Sequence, residues 1–180
     1  MTPKPMWVFA YGSLMWNPGF PVAEKHVARV EGYHRSFCMW SIHHRGTEEH
    51  PGLVLALDAG EGVNCLGLGL RVEPGAEEET LAMLRERELV SSAYLEKELD
   101  KILQPGDTVR AVTYIVDTDH PQYCRDLSLD QQAKVISTTV GGRGPNTEYL
   151  YNTVEQLQQT GIEDPELTWL AQKVREITTG

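Results

Sequence analysis

The densest apolar run of the chain, Trp7-Val8-Phe9-Ala10-Tyr11, breaks on Gly12-Ser13 and resumes at Leu14-Met15-Trp16. Bulky apolar residues in unbroken succession predict a strand buried on both faces. The Gly-Ser step predicts a turn whose successive N–H groups can face an anion or a developing oxyanion. An ordinary turn after a strand explains Tyr-Gly-Ser equally well, so the rest of the chain has to decide between the two.

Through about residue 72 the pattern stays β-like. Val27–Val30, Tyr33–Ile42, Leu53–Asp58 and Cys65–Val72 read as strands, separated by Pro18-Gly19, Gly46, Pro51-Gly52 and Ala59-Gly60-Glu61-Gly62. Gly67 and Gly69 inside the last of these mark a bulge or a close backbone approach, since the third glycine and helix of a dinucleotide loop are missing. Pro74-Gly75 then opens a helix from about Ala76 to Leu89, with Glu77, Glu78 and Glu79 suiting its first turn. A strand at Thr108–Val116 follows, and three helical patterns close the chain. Leu129, Ala133, Ile136 and Val140 share one face, ended by Gly141-Gly142. Asn146 suits the N-cap of a helix carrying Leu150, Val154 and Leu157, and Asp164-Pro165 begins a last helix with Leu167, Leu170, Val174 and Ile177 inward. No linker, repeat or low-complexity segment is visible. The expectation is one α+β domain over residues 1–180, with 1–5 a short flexible N-terminus.

Composition narrows the function classes. With 41% hydrophobic and 23% charged residues, the 180-residue chain has the makeup of a globular domain with a core of its own. A formal net charge of −10 without a Lys/Arg block excludes a general nucleic-acid or anionic-membrane binder, though not a small anionic substrate. Cys38, Cys65 and Cys124 are scattered and odd in number, as suits reduced thiols in the cytoplasm, and they form no metal motif. The N-terminal MTPKPMWVF lacks a signal-peptide core, and no run reaches the roughly 20 apolar residues of a membrane span. A cytoplasmic location is expected, with neither membrane nor nucleic acid as partner.

Candidate chemistry lies at a few positions. Residues 81, 84 and 88 fall on one face of the 76–89 helix, so Leu81 and Leu84 carry Glu88 inward while Glu86 points away. Burial raises a carboxyl pKa and suits it to acid/base work near neutrality. At the helix end, Glu88 equally fits solvent exposure or pairing with Arg85 or Arg87. His43 and His44, adjacent on a strand end, point to opposite faces and do not share a metal ion. Arg45 beside Gly46 is able to clamp a carboxylate bidentately, or to be a surface charge. In GGRGPNTEYL (141–150) the Gly-Lys-Ser/Thr ending of a phosphate cradle is absent, and a helix C-cap followed by an N-cap accounts for the glycines and Asn146. Tyr149 falls in the first turn of the next helix, packed in the core or reaching a site. Ser13 lacks a Gly-x-Ser-x-Gly elbow and is not read as a nucleophile.

Four strings, WVFAYGSLMW, HRGTEEHPGLVLALD (44–58), RERELVSSAY (85–94) and GRGPNTEYL (142–150), together resemble the ChaC-type γ-glutamylcyclotransferases, in that family's order and from residue 7 to about 157. The resemblance implies a small mixed β-barrel flanked by helices. It implies substrate binding by Tyr11, Gly12, Ser13 and Leu14, catalysis by Glu88, and a site-lining role for Tyr149. Arg45 falls within a family motif and is carried over as substrate-binding. His44 departs from the family's pattern, standing where many relatives have tyrosine or aspartate, which bears on the rim of the site. The implied reaction is attack by the α-amine of a γ-glutamyl group on its own γ-carbonyl, releasing 5-oxoproline and, from glutathione, cysteinylglycine. It calls for no metal, cofactor or covalent intermediate. Other γ-glutamyl amino acids or γ-glutamylamines are alternative substrates, and an inactive binding protein of the same fold is the rival from another class. Oligomeric state stays open, a monomer being compatible with everything read.

Overall fold

Residues 7–10 form β1 (Trp7–Ala10), a strand with neighbours on both edges and apolar packing on both faces. In this computed structural model the described residues are 6–42, 45–88, 94–103, 108–124, 127–142 and 144–179, with the backbone alone at 13, 88 and 99–103. The chain divides into two compact units, Met1–Arg35 with Leu57–Asp117 and Ser36–Ala56 with Thr118–Gly180.

The first unit is built on β1, α1 (Ser13–Trp16), much of β2 (Val22–Ser41) and β3 (Gly52–Val72), α2 (Glu77–Glu88), β4 (Tyr94–Leu103) and β5 (Thr108–Val116). Its strand order is β1-β3-β2-β4-β5. β1 runs antiparallel to β3 in the register Trp7↔Arg71 to Ala10↔Leu68. A short parallel pairing with β5, Trp7↔Ala111 and Val8↔Val112, returns the order to its start. The sheet is thus a barrel in the loose sense, its seam closed over two residue pairs. Val8, Phe9, Leu68, Leu70, Leu84 and Tyr114 form the core of this unit. Gly67 belongs there because a Cβ would sit 2.4 Å from the Ala10 carbonyl oxygen, the close approach its position in the strand suggests.

The second unit contains residues 36–41 of β2 and 52–56 of β3, then α3 (Leu129–Thr138), β6 (Val140–Gly141), β7 (Gly144–Pro145), α4 (Asn146–Thr160) and α5 (Pro165–Thr179). The inward faces of its helices are Ala133 and Ile136, Leu150, Val154 and Leu157, and Leu167, Leu170, Ala171 and Val174. Full burial of a leucine such as Leu170 contributes about 1.5–3 kcal/mol.

Several expectations need correcting. β2 and β3 are each one strand rather than two, because Gly32 and Gly62 take left-handed φ values of 85° and 69° that redirect the backbone without ending the strand. β4 was not anticipated; it pairs antiparallel with β5 from Tyr94↔Val116 to Ile102↔Thr108. Val140 is 60% exposed in a two-stranded hairpin, not on the buried face of α3, and Thr139 rather than a glycine caps that helix. Ile177 is likewise mostly outside the core of α5. Among the described residues no helix is long and apolar enough to cross a membrane.

Candidate active site

The Tyr11–Leu14 turn is fastened at its first residue. Tyr11 leaves β1 with its hydroxyl donating to the Tyr114 carbonyl at 2.7 Å, and its own carbonyl accepts Arg35 Nε at 2.6 Å. A second Arg35 nitrogen donates to the Leu66 carbonyl. The Gly12 carbonyl accepts the Met15 N–H at 2.9 Å, which starts the single turn of α1. A helix start leaves its first N–H groups without intrahelical acceptors. Arg35 went unnoticed at the sequence level. Its signal is a charge inside a strand that is apolar from Phe37 to Trp40, and it is 7% exposed.

Helix α2 carries Glu88 as its last residue, one turn beyond the fully buried Leu84 and two beyond the buried Thr80. The backbone therefore puts position 88 on the helix face that packs inward, and Glu86 is exposed, as the spacing requires. Leu81 is half-buried rather than buried. The side chains of Glu88 and Ser13 lie outside the described atoms, as do residues 43 and 44. Arg85, one of the two arginines that an exposed Glu88 would pair with, gives Nε and Nη2 to Glu96 at 3.0 and 3.1 Å. The other, Arg87, donates from Nη1 to the Asn17 carbonyl at 2.7 Å. That bond ties the last turn of α2 to the segment three residues beyond Leu14.

Among the described residues, Glu96 is a carboxylate with a clearly displaced titration. Hydrogen bonds from Arg85 hold it below the ordinary value of 4.5, burial opposes them, and the Tyr114 hydroxyl at 2.9 Å adds to the lowering. A carboxylate whose pKa is depressed on folding stabilises the fold above its unfolded value, and that contribution is lost as the pH falls through the folded one. Glu96→Gln is accordingly expected to unfold at lower urea than the parent at neutral pH, with the gap narrowing below 4.5. An equal gap at both pH values would contradict the assignment.

In the second unit, Arg45 and Tyr149 are brought together. Arg45 is 5% exposed, with its Cζ 5.8 Å from the centre of the Tyr149 ring. Its N–H donates to Ser41 Oγ, while Nη1 donates to the Pro145 carbonyl at 3.0 Å and to Glu148 Oε1 at 3.2 Å. The Tyr149 hydroxyl accepts the Leu55 N–H at 3.2 Å, and its ring meets Phe37 edge-on. Asn146 does not cap α4 with its side chain; Pro145 holds the N-cap position. Instead the carboxamide of Asn146, fully buried, pairs with both backbone groups of Leu53 at 2.8 Å, as a neighbouring strand would. The glycines of GGRGPNTEYL are also not caps. A Cβ at Gly141 would lie 2.2 Å from Gly46 N, and one at Gly52 would lie 2.2 Å from the Arg45 carbonyl oxygen. Backbones here meet with no room for a side chain.

The strand, its fastened turn and the helix ending in glutamate belong to an α+β fold that solved γ-glutamyl cyclotransferases share. A yeast γ-glutamyl cyclotransferase specific to glutathione superposes on this chain with a TM-score of 0.87 at 23% identity, over 97% of each chain. The family model described as ChaC-like protein matches residues 6–177, and the chain belongs to the ChaC-like family. Among curated proteins, the glutathione-specific gamma-glutamylcyclotransferase of Escherichia coli (strain K12) is 35% identical over 173 residues, which cover 96% of this chain and 74% of that one. Gamma-glutamylcyclotransferase 2-3 of Arabidopsis thaliana is 33% identical over 178 residues, covering 96% and 89%.

Proposed function

We propose that this chain is a glutathione-specific γ-glutamylcyclotransferase, cleaving glutathione to 5-oxoproline and cysteinylglycine. The observation that carries the reading is the placement of Glu88 at the end of α2, whose last turn is bonded to Asn17 just past the Tyr11–Leu14 turn. Nucleophile and electrophile belong to one substrate molecule, so the protein chiefly has to fold the γ-glutamyl group into a near-attack shape. The α-amine adds to the γ-carbonyl, a five-membered lactam closes, and the γ-amide C–N bond breaks. Glu88 takes a proton from the ammonium before attack and one from the ring nitrogen after it, passing one to the departing nitrogen as the C–N bond breaks and the other to solvent. The amides of Gly12, Ser13 and Leu14 hold the glutamyl carboxylate or the tetrahedral oxyanion. Tyr11 keeps that turn in place. Arg45 and Tyr149 are assigned to substrate binding by the family resemblance, with Arg45 also orienting the Tyr149 ring. We place the reaction in the cytoplasm, in keeping with the scattered cysteines.

The purified protein incubated with glutathione is expected to yield 5-oxoproline and cysteinylglycine in equal amounts, read by mass spectrometry. No product from glutathione, γ-glutamylalanine or γ-glutamyl-lysine would overturn the enzymatic reading. Turnover of either of the last two with glutathione inert would move the specificity instead.

A further inference from the structure

The helix that ends in Glu88 is held from two sides. Arg85 places its guanidinium fork on both oxygens of Glu96 in β4, and Arg87 bonds the Asn17 carbonyl beyond α1. Glu96 also accepts the hydroxyl of Tyr114, its direct cross-strand partner in β5. The carbonyl of the same Tyr114 accepts the Tyr11 hydroxyl. A continuous path therefore runs from α2 through β4 and β5 to the first residue of the 11–14 turn, and all of it lies within the first unit.

The ion pair in this path is half-exposed, with 54% of the Arg85 side chain and 25% of Glu96 accessible. Such a pair contributes only modestly to stability, enough to register as the urea gap described above. What it does supply is orientation. Leu84 and Thr80 are buried on one face of α2, and so narrow a stripe restrains the helix's depth more than its roll about its own axis. A planar two-point fork resists that roll. A roll that moves a carboxylate by 1 Å can lower a rate by roughly 10²-fold.

We infer that Glu96, acting through Arg85 and Tyr114, is a positioning residue that sets the last turn of α2 against the Tyr11–Leu14 turn. The inference rests on the reading of Glu88 as the acid/base group. Its test compares Glu96→Ala, Glu96→Gln and Tyr114→Phe with the parent on glutathione, alongside Glu88→Gln. Glu96→Ala is expected to lower kcat by about 10-fold or more with KM changed less than about 2-fold. Glu96→Gln, which keeps an oxygen for Arg85, should recover part of the loss. Amide exchange should quicken at 84–88 and 11–14 in Glu96→Ala and stay unchanged at 165–177. Parental kcat in Glu96→Ala, or a lowered melting temperature with kcat per folded molecule intact, overturns the inference. Activity surviving in Glu88→Gln would instead overturn the reading of Glu88. The exchange experiment still decides the positional claim in that case, because it does not depend on which group moves the proton.

Discussion

Glu88→Gln is expected to lose nearly all turnover of glutathione, with kcat falling about 10²–10⁴-fold, the usual worth of a positioned acid/base group. The amide keeps the size and most of the hydrogen-bonding shape of the carboxylate but does not cycle a proton at neutral pH. Two steps of the reaction require such cycling: the α-ammonium must be deprotonated before it attacks, and the departing nitrogen must be protonated before it leaves. Position 88 closes α2 one turn past the buried Leu84, and the amide matches the carboxylate in volume, so the helix end keeps its packing. Melting temperature and glutathione binding are accordingly expected to stay near those of the parent. Steady-state kinetics with calorimetric binding separates the outcomes. Near-full activity would assign the base to another residue.

Gly141→Ala is expected to be a severely damaging small substitution in the second unit. Its new methyl would stand 2.2 Å from Gly46 N and 2.6 Å from the Arg45 backbone carbon. Main-chain atoms have no rotamer by which to yield, so the hairpin or the 45–46 segment has to move. That movement would disturb the Arg45 hydrogen bonds to Pro145 and Glu148. Overpacking of this severity costs about 3 kcal/mol or more, which for a chain of this length lowers the melting temperature by roughly 6–12 °C. Gly75→Ala is the control. With φ at 97° and no heavy atom within 4 Å of its would-be Cβ, it should cost only the roughly 1–2 kcal/mol of left-handed strain. Thermal unfolding of the two variants decides the matter, and a smaller loss in Gly141→Ala than in Gly75→Ala would refute the packing argument.

Legibility in the sequence followed how local each cause is. β1 and its turn were readable because an apolar run broken by Gly-Ser admits few other structures. The buried faces of α4 and α5 were readable because their periodicity lies within fifteen residues. β4 was not. Glu96, Lys97, Glu98, Asp100 and Lys101 are poor strand formers, and the segment is a strand because β5 supplies its partner. Asn146 misled for the same reason: a carboxamide before a helix reads locally as a cap, whereas its partner Leu53 lies 93 positions away. In the candidate site the turn and the helix position of Glu88 could be read from sequence. Of the groups that fasten them, Arg35 left a signal as a charge beside an apolar strand segment, whereas Glu96 and Tyr114 left none, since their partners lie on other elements.

The bond from Tyr11 to the Tyr114 carbonyl spans 103 positions, and β1 pairs with residues 68–71 and 111–112. During synthesis the first strand emerges with neither neighbour in existence. At roughly 5–20 residues per second, on the order of 5–20 s pass before β5 has been made to receive it. Over that interval the most apolar stretch of the chain is exposed and its turn unformed. The Tyr11–Leu14 turn thus leaves the ribosome well before the strand that anchors it, and until β5 arrives its apolar approach is a surface for a chaperone to cover.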